Sequence, residues 1–245
     1  MANFGFARMA VVAPFAPHWR EARSAVGAPE LLQNARETAS LAEAVSDCTL
    51  VAGTGTLTSR KPQQQVVSLP SLAPLVRNQL QRGGRVALVF GPEKRGLTHE
   101  DLSYCHLLVE IPTDPHQPSM NLGQAVAVCL YELACRSVPA QDRTPEPELP
   151  AASAIAGTAE SDPSRPAAAS GTLDLLGGLI EQTMTAAGYS PRTMQAANRH
   201  GLRLLLRRLR MSPDDARRAL GFFRRILWRL DRSPHAGCDS GPKPR

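Results

Sequence analysis

Short apolar runs alternate with amphipathic segments over residues 1–137 of the chain. Four apolar runs predict buried strands, at residues 9–12, 49–53, 86–90 and 107–111. Three segments with helical periodicity predict helices between them, at residues 41–45, 69–80 and 121–133. Because the strands are apolar on both faces and alternate with helices, we predict an α/β fold built on a parallel sheet.

Helical periodicity dominates the last part of the chain. Leucines spaced i, i+3, i+4 and i+7 predict one apolar helix face: Leu202, Leu205, Leu206 and Leu209. Arginines crowd the adjacent face of the same helix: Arg199, Arg203, Arg207 and Arg210. Ser212 and Pro213 predict the start of a second helix with an apolar stripe over residues 216–230, and residues 173–187 predict a third helix. We expect the apolar faces to meet and the arginines to remain in solvent.

A stretch poor in large apolar side chains separates these two parts. Residues 138–171 hold six Pro and nine Ala, so burial cannot offset the entropy lost on ordering them. We therefore predict four regions: an N-terminal domain (1–137), a flexible linker (138–171), a basic helical extension (172–232) and a disordered tail (233–245).

The positive charge of the chain is concentrated in the second part. The whole chain carries a formal charge of +6, yet residues 1–191 hold 14 Lys and Arg against 18 Asp and Glu. Residues 192–232 hold 12 Arg against three Asp. A concentrated arginine surface is typical of nucleic-acid binding, because neutralising phosphates releases condensed counterions. The alternative is a helix face that is merely solvated.

Cysteine usage and hydropathy argue against several classes of protein. The five cysteines form no Cys-x-x-Cys pair and no zinc-ligand spacing, which predicts reduced thiols in a cytoplasmic protein without a metal site. The apolar stretch at residues 9–16 follows a single Arg8 and is interrupted by Pro14, so we do not predict a signal peptide. No run approaches the ~20 apolar residues of a membrane span, and we expect no membrane partner.

Three of the predicted strands lead into loops of unusual composition. The loops are residues 53–56 (Gly-Thr-Gly-Thr), 91–97 (Gly-Pro-Glu-Lys-Arg-Gly-Leu) and 112–122, which includes Pro-Ser-Met-Asn-Leu. Ligands of open parallel sheets bind beyond the carboxyl ends of the strands, where glycine lets them approach the backbone. Each loop alone is also compatible with an ordinary tight turn. The first loop lacks the third glycine and the following helix of a Rossmann fingerprint, which argues against a Rossmann-type methyltransferase or dehydrogenase.

The order and spacing of three motifs carry a family resemblance. The motifs are residues 90–98 (Phe-Gly-Pro-Glu-Lys-Arg-Gly-Leu-Thr), 109–112 (Val-Glu-Ile-Pro) and 119–126 (Ser-Met-Asn-Leu-Gly-Gln-Ala-Val). Together they resemble the second and third motifs of SPOUT-superfamily RNA 2′-O-ribose methyltransferases of the TrmH/SpoU type. Within that group the chain is most similar to the TrmJ-type tRNA methyltransferases, which also carry a C-terminal helical extension.

The resemblance implies both a fold and an activity. The implied fold is an α/β parallel sheet with a C-terminal trefoil knot (SPOUT), followed by a small all-helical C-terminal extension. The implied activity is S-adenosyl-L-methionine-dependent 2′-O-methylation of ribose in RNA, and the implied substrate is the anticodon loop of tRNA, at a position 32-like site. The implied enzyme is a cytoplasmic homodimer that uses no metal.

The resemblance also implies roles for individual residues. Backbone groups of eight residues would bind the cofactor: Thr54, Gly55, Thr56, Gly91, Ile111, Pro118, Ser119 and Met120. Ser119 and Asn121 match positions beside the reacting groups, where their side chains would orient the ribose. Alternatively, these two residues cap the helix that begins there. The implied RNA-binding residues are the four arginines of the predicted basic helix: Arg199, Arg203, Arg207 and Arg210.

Two further polar residues lie in the same loops. Glu93 either forms a hydrogen bond within the knot or pairs at the surface with Lys94 or Arg95. We interpret His116 as an exposed loop histidine rather than as a base.

One motif of the family has no counterpart in the chain. The family carries an Asn followed by an Ala-Arg pair on its first helix, whereas residues 1–6 resemble the sequence that follows that motif. One hypothesis is that the native start lies upstream and supplies the missing Asn and Arg. The alternative is a complete but catalytically inactive RNA-binding homologue. This alternative is less favoured, because losing a strand would expose backbone groups and apolar surface.

Overall fold

Strands and helices alternate up to residue 137, and the described residues that follow are helical. The computed structural model describes residues 1–15, 18–21, 27–55, 62–114, 116–137, 166–189 and 194–232. The strands are β1 (Ala10–Val12), β2 (Arg36–Thr38), β3 (Leu50–Thr54), β4 (Gln65–Ser68), β5 (Val86–Val89) and β6 (Leu107–Glu110). The helices are α1 (Pro29–Gln33), α2 (Leu41–Ala44), α3 (Leu69–Gln81), α4 (His99–Ser103), α5 (Leu122–Ser137), α6 (Ser170–Ala186), α7 (Gln195–Arg208) and α8 (Pro213–Arg232).

The strands and helices predicted for the first part of the chain are present, but the burial predicted for β1 is wrong, because Ala10 and Val12 are exposed. The four predicted strands correspond to β1, β3, β5 and β6, and the three predicted helices to α2, α3 and α5. The apolar pattern does not reveal β2 and β4, because each buries a single side chain, Thr38 or Val67, and is otherwise exposed. It also does not reveal α1 and α4, since five residues are too few to show helical periodicity.

Four of the strands form a parallel sheet in the order β4-β6-β3-β5. β3 lies between β5 and β6, and all five of its residues are buried. In the register of these pairs, Gly53 lies opposite Val89 of β5 and Thr54 lies opposite Val109 of β6. β1 and β2 form a separate parallel pair. The three strands that lead into the glycine-containing or motif-bearing loops are therefore neighbours and end at the same edge of the sheet.

Helices cover both faces of β3. Because successive side chains of a strand point to opposite faces, Leu50 packs in one apolar cluster with α3 and α5, while Val51 packs in a second cluster with α2 and α4. At Gly53 there is no room for a side chain, because a Cβ would lie 2.6 Å from the Sγ of Cys105. The continuous apolar run of β3 thus reflects a strand enclosed on both sides.

Helices α6, α7 and α8, called here the C-terminal helices, pack around a third apolar cluster. Its buried members are Ala168, Leu173, Leu176, Leu206 and Ala216. The apolar stripe predicted for α8 is confirmed, because Ala219, Leu220 and Phe223 pack against this cluster. The linker is shorter than predicted, since Ala168 is only 2% exposed. Residues 138–165 of the predicted linker and the predicted tail 233–245 lie outside the described residues.

The apolar face predicted for α7 is only partly correct. Leu206 is buried as expected, but Leu205 and Leu209 are exposed, and Leu204 is buried in their place. The expectation that the arginines of this helix remain in solvent is wrong for Arg207, which is 2% exposed. The buried face of α7 is therefore shared between leucines and a charged side chain.

Arg207 is buried because acceptors surround its guanidinium group. Its Nε donates a hydrogen bond to the carbonyl of Tyr104 at 2.9 Å, and its Nη2 donates to Asp174 Oδ1 at 2.9 Å. The guanidinium also lies 5.4 Å from the centre of the Tyr104 ring. Burying a cation is unfavourable unless it is paired and hydrogen-bonded, and these partners come from two distant parts of the chain. Arg207 thereby joins the C-terminal helices to the sheet.

The C-terminal helices lie at the edge where the strands of the sheet begin. The hydroxyl of Ser170 donates to the carbonyl of Cys48, two residues before β3, at 2.9 Å. Arg203 pairs with Glu100 of α4 at 3.3 Å, and its guanidinium lies 4.2 Å from the centre of the Tyr104 ring. Cys48 and Tyr104 precede β3 and β6, so the helices are at the opposite edge from the three loops.

His106 lies at this same edge in its neutral form. Its amide donates to the carbonyl of Val51 at 2.8 Å, and its Nδ1 accepts a hydrogen bond from the Val51 amide at 3.1 Å. Removal of water from around the ring, and then the positive charges of Arg207 and Arg210, lower the pKa of His106 to about 3. Only a ring with an unprotonated Nδ1 can accept the Val51 hydrogen bond.

We expect Arg207→Leu to lower the free energy of unfolding by about 3 kcal/mol, because it leaves the carboxylate of Asp174 without its cation. A second change, Asp174→Leu, should recover part of that loss by removing the uncompensated charge. Urea denaturation measures both variants. Arg199→Leu is the matched control: it breaks an exposed pair with Glu181 and should cost less than about 1 kcal/mol. Equal losses for Arg207→Leu and Arg199→Leu would contradict the assigned role of Arg207.

We also expect His106 to make the folded protein less stable as the pH decreases from about 7 towards 3. In this interval an unfolded histidine, with a pKa of about 6.5, binds a proton that the folded ring does not bind. Between pH 7 and pH 5 the loss should be about 2 kcal/mol. His106→Asn keeps an acceptor in place of Nδ1 but does not titrate. Urea denaturation at the two pH values should therefore show a smaller loss for His106→Asn, and identical losses would refute the assignment.

Candidate active site

The carboxyl ends of β3, β5 and β6 form one continuous edge. Thr54 is buried at the end of β3, and its hydroxyl donates to the carbonyl of Val89 at 3.0 Å, which joins the ends of β3 and β5. Gly55, Gly91 and Ile111 follow within two residues of the ends of the three strands. Parallel pairing therefore brings together residues that are as many as 56 positions apart in the sequence.

The loop after β5 closes tightly on itself. The amide of Gly96 donates to the carbonyl of Pro92 at 2.7 Å, with Gly96 in the left-handed region at φ 64°. A Cβ on Gly91 would lie 2.1 Å from the carbonyl carbon of Gly96, so only glycine fits at residue 91. Glycine is thus favoured at residue 96 because the backbone there is left-handed, and it is required at residue 91 because the loop approaches it closely.

Asn121 joins this loop to the start of α5. Its Nδ2 donates to Glu93 Oε1 at 2.6 Å, and its Oδ1 accepts from the amide of Gly123 at 2.8 Å and from that of Gln124 at 3.4 Å. Both ends of the side-chain amide are therefore engaged. The capping interpretation of Asn121 is confirmed, and Glu93 bonds to Asn121 across the site. The described residues show no ion pair between Glu93 and Lys94 or Arg95.

The segment between β6 and α5 is held by its own side chains. The hydroxyl of Thr113 donates to the carbonyl of Pro118 at 3.5 Å. His116 has a side chain that is 94% exposed, and its Nδ1 lies 3.0 Å from Asp114 Oδ1. Hydrogen bonds from the backbone and then the ring of His116 lower the pKa of Asp114. The interpretation of His116 as an exposed loop histidine is confirmed.

The backbone at this edge is available to a polar ligand. Among the described residues, the amides of Gly91, Ser119 and Met120 take part in no backbone hydrogen bond of a turn, loop or cap. Ser119 is exposed and Met120 is half-buried, while a Cβ on Gly55 would meet nothing within 4 Å. Amides without such a backbone partner among the described residues fit a ligand that is held largely through backbone groups. Thr56, the remaining residue of the first loop, lies outside the described residues.

Other chemistry is not supported by the described part of the chain. Burial raises the pKa of the Cys105 thiol to about 12 and that of Cys129 to about 11, so neither thiol is a nucleophile near neutral pH. No group of three His, Cys, Asp or Glu side chains within the described ranges is placed to hold a metal ion. None of the described helices is both long enough and apolar enough to span a membrane.

Three of the four arginines implied as RNA-binding residues interact within the protein, away from the three loops. Arg199 donates two hydrogen bonds of 2.9 Å to Glu181, while Arg203 and Arg207 hold the residues before β6. Arg210 is exposed. A cavity of about 270 Å³ lies beside Arg199, Arg203 and Tyr104 at the edge where the strands begin. The sequence offered no signal for these pairs, because the partners lie far apart in the chain.

A family model matches the part of the chain that forms the sheet and most of α5. The model of the SpoU rRNA Methylase family matches residues 1–131. These residues include the three loops and the Glu93–Asn121 hydrogen bond.

Comparison with curated proteins finds several relatives of the same type, including two TrmJ proteins. The chain is 38% identical over 144 residues to the tRNA (cytidine/uridine/adenosine-2′-O-)-methyltransferase TrmJ of Pseudomonas aeruginosa, a match over 58% of this chain and 56% of that protein. It is 37% identical over 140 residues to the tRNA (cytidine-2′-O-)-methyltransferase TrmJ of Methanocaldococcus jannaschii, over 56% of this chain and 60% of that protein. The matches thus span little more than half of the length of each relative.

Comparison with solved structures finds a match over most of the chain. The crystal structure of TrmJ from Z. mobilis ZM4 has a TM-score of 0.74 and 26% sequence identity to the chain. That match covers 92% of this chain and 89% of the other. The α/β fold with a parallel sheet is therefore shared with a solved structure.

The Glu93–Asn121 hydrogen bond predicts an outcome for charge substitutions. Asn121→Asp keeps an acceptor for the cap of α5 but places two carboxylates together, so it should melt at a lower temperature than the unchanged protein. Adding Glu93→Gln should restore stability, because the glutamine amide donates to the new carboxylate. Asn121→Ala loses the cap and should cost about 1 kcal/mol, with no rescue by Glu93→Gln. Thermal unfolding of the four variants measures this coupling, and additive effects throughout would contradict it.

Proposed function

Because the chain belongs to the SpoU rRNA methylase family, we propose that it is an S-adenosylmethionine-dependent methyltransferase acting on the 2′-hydroxyl of ribose in tRNA. The observation that carries the proposal is the meeting of three motif-bearing loops at one sheet edge, joined by the Thr54–Val89 and Glu93–Asn121 hydrogen bonds. The tRNA substrate is proposed from the two relatives, whose names give tRNA 2′-O-methylation as their activity.

The loops are suited to hold the cofactor through the backbone. S-adenosylmethionine supplies, when bound, a methyl group activated by its sulfonium sulfur. The amides of Gly91, Ser119 and Met120 would donate hydrogen bonds to its polar atoms, and Thr54, Gly55, Ile111 and Pro118 would complete the cradle. The absence of a side chain at Gly55 keeps the backbone there approachable, whereas at Gly91 it lets the loop close against Gly96 and Leu97.

The side chains at the start of α5 are placed to position the ribose. The hydroxyl of Ser119 is exposed and would orient the attacking ribose oxygen behind the methyl group, so that the reacting atoms are aligned. Asn121 is fixed by Glu93 and by its cap on α5, and it holds the neighbouring residues in place. The bond from the ribose oxygen to the methyl group would form as the methyl–sulfur bond of the cofactor breaks, and the hydroxyl proton would pass by the exposed Ser119 hydroxyl to solvent.

The finer features of the proposal are drawn from the family resemblance. We infer a C-terminal trefoil knot, a cytoplasmic homodimer and division into a methyltransferase domain, 1–137, and an RNA-binding extension, 172–232. The similarity to the TrmJ structure over 92% of this chain supports this arrangement. RNA contacts by Arg199, Arg203 and Arg210 stay predictions, whereas burial leaves Arg207 with no surface for a phosphate.

Ser119→Ala tests the proposed role of the site. We expect turnover on tRNA to fall about 100-fold while affinity for tRNA changes little, because the hydroxyl acts on the reacting atoms rather than on binding. Ser119→Thr keeps the hydroxyl and should retain more activity than Ser119→Ala. Thr185→Ala, which removes an exposed hydroxyl from α6, is the control for a nonspecific effect.

Two measurements decide between this function and an inactive RNA-binding protein. S-adenosylmethionine should raise the melting temperature of the unchanged protein, as any ligand of the folded state does. Methyl transfer to ribose should then be seen by mass mapping of the tRNA. A protein that binds tRNA but whose melting temperature does not respond to S-adenosylmethionine would refute the proposed activity.

A further inference from the structure

The outer face of α8 carries a row of arginines with aromatic rings on either side. Arg218, Arg225, Arg229 and Arg232 are all exposed and are spaced i, i+7, i+11 and i+14, which places them along one side of the helix. Phe222 is 69% exposed and Trp228 is 52% exposed. The opposite side of α8 packs against α6 and α7 through Ala216, Leu220 and Phe223. The arginine row therefore lies on the side of α8 that faces away from the protein.

The charge of this face is not neutralised by the helix itself. The acidic residues of α8 are Asp214 and Asp215 in its first turn and Asp231 in its last turn, so residues 216–230 contain none. Within the described part of the chain, Arg218 and Arg225 have no ion-pair partner. Arg199, Arg203 and Arg207 of α7 are instead paired with Glu181, Glu100 and Asp174. Within the described residues, Arg208 and Arg210 at the end of α7 are also exposed and have no ion pair, but the long uncompensated row of positive charge lies on α8.

The composition of the face favours RNA over two other partners. A second copy of the chain would bring the same arginine row against itself across a two-fold axis, with no carboxylate between residues 216 and 230 to relieve the repulsion. A membrane-surface helix would present its broad apolar face outwards, whereas α8 turns that face inwards. Phosphates accept hydrogen bonds from guanidinium groups, and unpaired bases stack on exposed aromatic rings.

We propose that the outer face of α8 is the surface that binds the tRNA, with Arg218 and Arg225 on the phosphate backbone and Phe222 stacked on an unpaired base. From Arg218 to Arg232 the helix rises about 21 Å, enough to follow several phosphates of one strand. Arg203 and Arg207 of α7 instead hold the C-terminal helices on the residues before β6. This inference rests on the proposed function for the identity of the RNA, and it adds a surface different from the α7 row predicted from the sequence.

Arginine substitutions test the proposed contacts of α8 with the phosphate backbone. Arg225→Gln should weaken binding of an unmodified tRNA transcript and lower the slope of log affinity against log salt by about 1. The pair Arg218→Gln and Arg225→Gln should lower it by about 2. Arg20→Gln makes the same charge change on an exposed arginine outside the C-terminal helices that already pairs with Glu37, and should leave the slope unchanged. A slope that falls equally for Arg20→Gln and Arg225→Gln would overturn the proposal.

Substitutions of Phe222 test the stacking part. Phe222→Leu keeps an apolar side chain but no ring, and should weaken binding about tenfold without changing the salt slope. Phe222→Tyr keeps the ring and should bind as the unchanged protein does. Leu175→Ala, on an exposed residue of α6, is the control for loss of apolar surface and should bind normally. Equal binding by Phe222→Leu and Phe222→Tyr would overturn this contact.

The remaining outcomes separate this inference from the proposed function. Unchanged tRNA binding by the α8 variants overturns the inference but leaves the methyltransferase proposal intact. Lost tRNA binding by the same variants, together with a melting temperature that does not respond to S-adenosylmethionine in the unchanged protein, supports the surface and refutes the activity. Binding to vesicles of phosphatidylserine and phosphatidylcholine but not to tRNA, or a loss of self-association in Arg225→Gln by light scattering, also overturns the inference.

Discussion

Parallel pairing of β3 with β5 and β6 is the constraint on which the candidate site depends. The register that sets Gly53 opposite Val89 and Thr54 opposite Val109 makes the three strands end together. Residues 55, 91 and 111 then meet although the chain between them folds into helices and a further strand. Two side-chain hydrogen bonds, from Thr54 to Val89 and from Asn121 to Glu93, complete the arrangement. Because the site is assembled mostly from backbone, its shape depends on this register more than on any one functional side chain.

The buried guanidinium of Arg207 organises the opposite edge of the sheet, where the strands begin. Arg207 connects α7 to the carbonyl before β6 and to Asp174 of α6, so one side chain bridges three segments. A buried pair of this kind is weak evidence for net stability, because desolvation opposes the attraction. Its clearer effect is geometric, since few other orientations of the C-terminal helices would satisfy the guanidinium. Burial, and then the positive charges of Arg207 and Arg210, lower the pKa of His106, so the ring stays neutral and keeps accepting the hydrogen bond from the Val51 amide.

The parts of the structure that could be predicted from sequence are those set by local pattern. Strands enclosed on both faces appear as continuous apolar runs, so β3, β5 and β6 and the loops at their ends were predictable, as was the α/β class. β2 and β4 were not, because an exposed strand with one buried residue has no distinctive pattern. The buried face of α7 was predicted only in part, since periodicity assigns arginine to solvent and cannot show that Tyr104 and Asp174 supply acceptors. The Glu93–Asn121 bond joins residues 28 apart and likewise has no local signal. The roles of Ser119 and of the cofactor-binding backbone stay predictions.

The two ends of the sheet also set a requirement on the size of the substrate. β3 has five residues, so its two ends are roughly 16 Å apart, and the C-terminal helices extend the molecule beyond its starting end. On the proposed function, a nucleic acid held by those helices must reach across this distance, or to a neighbouring protomer, for one of its sugars to be modified. A single nucleotide is too short to engage both places at once. The distance would therefore favour RNAs that extend over both places and disfavour mononucleotides, whatever their sequence.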